Sequence, residues 1–525
     1  MDGGHLAPPR RRPVSARIND ATTMRPDPSA AALSVAAQDT HMLSLAVALA
    51  GALDEAQIPY CHFKSNEALD RSMRGEADLD LLIGAEGAQS FSQILLRLGF
   101  KEARLAAARE VPGVSQSYGL DAPTGRLVQV HAHRHLVIGD HTTKNFRLDI
   151  EPEYLAEAFP APLLRVPRPE HELVLFVLRM VAKHCTLDAM MMLQGRLSAS
   201  ERRELSWLSE RSSPDRVDGF LGAALPYVPA ELFSRCLRAV RPGTSVWFRA
   251  RTAGRLHRAL DAHGRRSRRG DAVLRIWRRI VWGTRRLVRG APKKKPAGGG
   301  LLVAIVGGDG AGKSTAVADL AGWLSAVFAT KTIHLGKPPP HVATLLVKGP
   351  MVVLRQLGLF RATRVPAYRL QDSGAPFPGH AWLLWNVLTA RDRYLAYRHA
   401  RRWVIGGGLV VSDRMPLSQL RTMDGCRTSW LHGSARLGYL ARRLVALEMS
   451  YYAKIEPPDV LIVLRVDPAI AVQRKLGEDD PGSVRERAGE VFDIDWAGTP
   501  AVVIDAARPR DEVASTIRRI VWSRL

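Results

Sequence analysis

Apolar and polar positions alternate in two different periods along the chain. "LLVAIV" at 301–306 is an unbroken apolar run of strand length, as in a parallel-sheet strand covered on both faces. It is followed by "GGDGAGKST" and then by "AVADLAGWLSAV", which reads as a helix. "WVIGGGLVVSDR" supplies a second buried strand over 409–412 that ends on Asp413 and Arg414. Residues 41–165 mix helical and strand patterns, and residues 166–264, as in "EHELVLFVLRMVAKHCTLDAMMML", read mostly as helix. In "AVLRIWRRIVWGTRRLVRG" the 3.6-residue period gathers Val273, Trp277, Ile280, Val281, Thr284, Leu287 and Val288 on one face. Arginines 275, 278, 279, 285, 286 and 289 fill much of the rest. The pattern predicts five regions: a disordered tail over 1–40, an α/β domain over 41–165, a helical region over 166–264, a basic amphipathic connector and linker over 265–299, and a second α/β domain over 300–525. The longest apolar run near the start, 42–53, is too short to cross a bilayer, and no internal repeat is visible.

Composition changes this picture in one respect. A length of 525 residues suits two or three domains, and the apolar and charged fractions are ordinary for a globular chain. The net charge of +24 is not ordinary, and it favours anionic partners: nucleotides, nucleic acid or lipid headgroups. From Arg265 to Lys295 there are thirteen Lys or Arg against the single acid Asp271, so the excess is concentrated in the connector. A helix over 273–289 is accordingly a candidate for peripheral contact with anionic membrane, with Trp277 and Trp282 at the headgroups; a solvated arginine face on a packed helix is the plainer alternative. Nucleic acid is the less favoured partner. Cys61, Cys185, Cys236 and Cys426 are widely spaced, which fits reduced thiols and a cytoplasmic setting better than a disulfide framework or a zinc site.

The stretch Gly307-x-x-x-x-Gly312-Lys313-Ser314 between strand and helix is the phosphate-binding loop pattern. Glycines let successive backbone N–H groups turn inward around phosphate oxygens, and the helix start adds its positive end. Gly307, Gly308, Asp309, Gly310, Ala311, Gly312, Lys313, Ser314 and Thr315 are therefore expected to hold ATP. Lys313 would reach the β/γ-phosphates and the Ser314 hydroxyl would bind Mg²⁺. Asp413, at the end of its strand, is placed to hold Mg²⁺ as well, and Arg414 to clamp a phosphate.

With these motifs in view, residues 300–525 resemble a thymidylate kinase, a P-loop nucleoside monophosphate kinase. The likeness lies in "GGDGAGKST", "TARDRYLAYRHARRWVIGGGLVVSDR", "PPDVLIVLRVDPAIAVQRK" and "VVIDAARPRDEV", in the family's order. It implies a P-loop kinase parallel sheet flanked by helices and phosphoryl transfer from ATP to a nucleoside monophosphate, first among them dTMP. It further implies that Asp309 faces the acceptor's sugar, Arg393 contacts its base, and Asp413 and Arg414 lie near its phosphate and Mg²⁺. Arg474, Lys475, Arg485 and Arg487 match the basic lid. Lys313, Asp413, Arg414, Arg474 and Arg485 form the expected catalytic set. Three departures fall on the acceptor side: Met415 where an aromatic is usual, Lys337 before Pro338 where an acid is usual, and the insertion at 341–370. A kinase for another small sugar- or phosphate-containing acceptor, or an ATP-binding scaffold on membrane or nucleic acid, are the alternatives.

"YCHFKSNEALDRSMRGEADLDLLIG" resembles the nucleotidyltransferase superfamily, with a turn at Ser65 and then Asp78-x-Asp80 opening an apolar strand. Carboxylates at i and i+2 share one face, spaced to share a divalent metal. Lys64 replaces the turn's glycine, and Gln129 stands where a third carboxylate is expected. Active nucleotidyl transfer and a fold retained for binding are both open. His131, His133 and His135 alternate along "LVQVHAHRH" and read as polar side chains on a strand's open face rather than as metal ligands.

Overall fold

The computed structural model describes residues 42–106, 109–191, 195–290, 292–336, 338–356, 379–420, 425–433 and 437–525. The tail expected over 1–40, Lys337 and the 357–370 part of the insertion lie outside them.

Among these residues two large sheets organise the chain. The first contains β1 (Tyr60–His62), β2 (Leu79–Ile83), β3 (Lys101–Arg104), β4 (Val114–Asp121), β5 (Arg126–His133) and β6 (Lys295–Pro296), side by side in the order β1-β2-β5-β4-β3-β6. β2 and β5 run parallel and the other neighbours antiparallel. In β5 the alternation sends Val128, Val130 and Ala132 into the core and Gln129, His131 and His133 to the opposite face. Helix α1 (Ser44–Glu55) packs on β4, and Asp121 accepts from the Ser44 hydroxyl at 2.7 Å and the Leu45 amide at 2.9 Å, an acid at a helix start.

The helical region centres on α2 (Pro169–His184), which is buried almost all round because the helices that follow it and the strand Leu136–Ile138 pack against it. Helix α3 (Arg268–Arg289) follows. It turns Arg275 and Arg279, both 7% exposed, into the protein. There Arg275 meets Asp188 at 2.7 Å and Asp271 at 3.0 Å, while Arg279 meets Asp188 at 2.8 Å and also Asp140.

The second sheet is wholly parallel: β7 (Leu301–Gly307), β8 (Thr330–His334), β9 (Leu409–Asp413), β10 (Val460–Arg465) and β11 (Ala501–Asp505), in the order β8-β9-β7-β10-β11. β7 is buried along its whole length. Its Leu301, Val303 and Ile305 join a core with α4 (Lys313–Ser325) on one face. Its Leu302, Ala304 and Val306 join a second core with α6 (His380–Ile405) on the other, which is why the run is continuously apolar. Between them in sequence, α5 (Val342–Gln356) occupies the described start of the insertion and packs on α6. Helices α7 (Pro468–Arg474), α8 (Pro481–Asp493) and α9 (Arg510–Arg524) complete the fold. The chain is thus mixed α/β, with a parallel sheet flanked by helices.

The tract expected to be a linker is docked. Lys295 and Pro296 pair with Arg104 and Ala103, so β6 extends the first sheet at its edge, where proline's missing N–H costs no ladder bond. Tyr118 of the first sheet lies in one apolar cluster with Phe328 and Trp522, and the Trp522 indole donates to the Gly99 carbonyl at 3.1 Å. Leu43–Leu525 accordingly form one compact unit.

Candidate active site

β7 ends at Gly307 and α4 begins at Lys313, so the glycine-rich loop spans 308–312 at the C-terminal end of the central strand. Gly310 and Gly312 sit at φ +83° and +82°, the left-handed region that other residues avoid. At Gly308 a Cβ would lie 2.5 Å from the Ala488 Cα, so α8 rests directly on the loop. Lys313 is buried and its ammonium donates to the Gly308 carbonyl at 2.7 Å.

Asp309 lies among three cations. Arg414 donates to it at 3.2 Å, Arg487 donates to its other oxygen, and the Lys313 ammonium is 3.7 Å away. Burial alone would push this carboxyl up, but Lys313, Arg487 and Arg414 together hold it below its usual range. β9 brings Asp413 beside the loop, and the Ser314 hydroxyl donates to its Oδ2 at 3.4 Å. Its Oδ1 is buried with no hydrogen-bond partner among the described residues. Arg414 has φ +69°, a strained backbone for a long side chain. It is pinned there by its N–H to the Ile305 carbonyl and by the Ser412 hydroxyl on its own carbonyl.

These residues line one cleft of about 540 Å³, together with His334, Arg474, Lys475, Asp479 and Arg487. A smaller, more apolar hollow of about 200 Å³ adjoins it. Gly312, Thr315 and Arg474 border both, and Ala506, Arg510 and Val513 close the far side of the hollow. Arg474 donates to the Gly310 and Ala506 carbonyls at 3.4 and 3.0 Å. Of the two α8 arginines, Arg487 reaches the loop, while Arg485, two residues away and so about 200° round the helix, is exposed and outside the cleft. Arg393 is also outside it. Its buried guanidinium donates to the Leu335 carbonyl, to the Gly336 carbonyl at 2.9 Å and to the Tyr452 hydroxyl. Met415 is 2% exposed in the core beneath β9 and lines no part of the cleft. His334, Asp479 and Arg510 were not singled out in the sequence; the β8–β9 register brings in His334, the turn between α7 and α8 Asp479, and the α4–α9 contact Arg510.

In the first sheet Asp78 and Asp80 do come together with histidines. His131 Nδ1 lies 3.4 Å from both carboxylates, His133 Nε2 is 3.6 Å from Asp80, and His135 is apart, beside Glu151. The Lys64 ammonium sits 3.0 Å from Asp80. Burial opposes ionisation of Asp80, yet Lys64, His131 and His133 hold its carboxyl well below the usual range. Burial pushes the His133 imidazole down to about 4. The turn amides that a phosphate would use are engaged by carboxylates: Ser65 N–H donates to Glu204 and Asn66 N–H to Glu172, each at 3.1 Å. Burial pushes Glu172 up to about 7. Among the described residues no group of three or more His, Cys, Asp or Glu side chains is disposed to hold a metal ion. At Asp80 the positive charge is supplied by Lys64.

No family model matches the chain. It is 27% identical over 229 residues to the "Uncharacterized ATP-binding protein YghR" of Escherichia coli strain K12, a stretch covering 42% of this chain and 86% of that protein. It is 25% identical over 227 residues to the "Uncharacterized ATP-binding protein YghS" of the same strain, covering 43% of this chain and 93% of that one. Both relatives are named for ATP binding. Among the described residues no helix is long and apolar enough to cross a membrane.

Proposed function

We propose that residues 300–525 bind ATP and transfer its γ-phosphoryl group to a small acceptor, a nucleoside monophosphate with dTMP as the first candidate. The observation that carries this reading is the convergence of Lys313, Ser314, Asp413, Arg414, Arg474 and Arg487 on one cleft beyond the ends of β7 and β9. The names of the two relatives support the donor.

In this reading the loop N–H groups receive the phosphates and the hollow beside Val513 takes the base. Lys313 exchanges the Gly308 carbonyl for the β/γ-phosphate oxygens, to which it is attracted more strongly than to a neutral carbonyl. Arg474 and Arg487 neutralise charge on the transferring group, which is where phosphoryl transfer needs help. The orphaned Asp413 Oδ1 and the adjacent Ser314 hydroxyl fit Mg²⁺, a hard cation that takes oxygen ligands. When bound, the metal would supply positive charge against the phosphates. Asp309 and Arg414 face the acceptor side.

A second reading keeps the donor and changes the acceptor. Arg393 favours it, because its guanidinium is committed to the 335–336 backbone and Tyr452 and so shapes the segment after β8 rather than meeting a base. Met415, by contrast, is no obstacle to dTMP, being in the core. For the first sheet we propose a binding or scaffolding role, since Lys64, Glu172 and Glu204 take the positions that metal and phosphate would need. The experiment is ADP release from ATP and Mg²⁺ against nucleoside monophosphates and sugar phosphates, with Lys313→Ala as control. Stimulation by dTMP supports the first reading and stimulation by another acceptor the second. Release that is equal in wild type and Lys313→Ala refutes both.

A further inference from the structure

Helix α3 is amphipathic in the reverse sense for a helix on a protein surface. Its inward face carries Arg275 and Arg279, neutralised by Asp140, Asp188 and Asp271. Trp282, expected at the headgroups with Trp277, is turned away from the apolar face, with the guanidinium of Arg109 4.2 Å over its ring. Its apolar side chains point outward: Val273 is 69% exposed, Trp277 63%, Ile280 52% and Leu287 89%. At 100° per residue these positions fall within one arc opposite the buried arginines and run about 21 Å along the axis. Isolated exposed apolar residues need no explanation, but a continuous row with a tryptophan does.

We propose that this face docks the protein on an anionic lipid bilayer. Charge decides the occupant. Arg269 and Arg285 are exposed toward the two ends of the row, and the chain carries +24 overall. A second copy would set those arginines against each other, whereas an anionic surface neutralises them. The row enters the headgroup and acyl boundary, Trp277 lies at the headgroup level, and the flanking arginines meet lipid phosphates. The inward ion pairs let a helix this rich in arginine present an apolar face at all. Docking in this way needs no spanning helix, in keeping with the absence of one among the described residues.

The test is co-sedimentation of the full chain with phosphatidylcholine vesicles and with mixed phosphatidylcholine–phosphatidylglycerol vesicles. Ile280→Glu/Leu287→Glu removes the row at exposed positions, and Arg269→Glu/Arg285→Glu reverses the flanking charge. Wild type should prefer the mixed vesicles, and each double variant should bind them about tenfold or more weakly. ADP release in solution should be unchanged in both variants, which separates failure here from failure of the catalytic reading. Equal binding to both vesicle types would overturn the proposal, as would undiminished binding by Ile280→Glu/Leu287→Glu. So would a wild-type dimer that this variant converts to monomer, since the row would then be covered by a second copy.

Discussion

Asp309 offers the three cations around it a carboxylate in the place where a phosphate would bring oxygens. Its neighbours Lys313, Arg414 and Arg487 are thereby held at the loop. Lys313→Ala should lower acceptor-stimulated ADP release about a hundredfold or more while circular dichroism stays native, the scale seen when one preorganised charge is removed from a reacting centre. A fall of less than threefold would remove the lysine from the chemistry. Asp413→Asn should lower kcat well beyond its effect on the KM for ATP, and added Mg²⁺ should restore activity only in part. An unchanged kcat would take Asp413 out of the site. In the first sheet, His133 is held neutral by burial, with a pKa near 4 against about 6.5 when unfolded. Between those values the unfolded chain takes up a proton that the native chain refuses, so stability rises with pH across that window. It is fully present above about 6.5 and lost toward 4. His133→Gln should flatten this acid limb, by about 2 kcal/mol at pH 5. Parallel Tm–pH curves for wild type and variant would contradict the assignment.

Elements were legible in the sequence where one physical cause dominates. β7 is apolar at every position because both faces are covered, and the glycines after it answer to backbone angles that only they adopt freely. Asp413 and Arg414 were legible as the end of a buried strand. The arginines of α8 were not: Arg485 and Arg487 look alike in a line of text, and only the rotation of α8 decides which one meets Asp309. The docking of 295–296 was equally hidden, since a Lys-Pro pair in a Gly-rich tract becomes a strand only because β3 offers an open edge. That edge and the Trp522 contacts join the two sheets. Trp522→Ala should cost about 3–5 kcal/mol and lower the melting of both sheets together. Two separate transitions, with the first sheet unmoved, would show that the shared cluster does not couple them.

At the scale of the molecule, charge and chemistry divide. Half of the net positive charge lies in the connector, while the cleft beyond β7 and β9 is built from a few cations, three of them gathered on Asp309. The first sheet arranges Lys64, His131 and His133 around Asp80, with Asp78 on the far side of His131, a combination that composition could not reveal because it depends on the β2–β5 register. Asp78→Asn should therefore leave acceptor-stimulated ADP release within about twofold of wild type, surface carboxylates remote from a site having small effects. A large loss would mean that the two sheets act on one reaction. In the proposed reaction a phosphoryl group passes from ATP to a small acceptor. The most direct measurement follows ³¹P resonances of ATP, Mg²⁺ and dTMP with the full-length protein. The expected result is loss of the ATP γ signal with the growth of a diphosphate signal on the acceptor, absent with Lys313→Ala. Conversion of ATP to ADP and inorganic phosphate, with dTMP and every other acceptor tried left unphosphorylated, would contradict it.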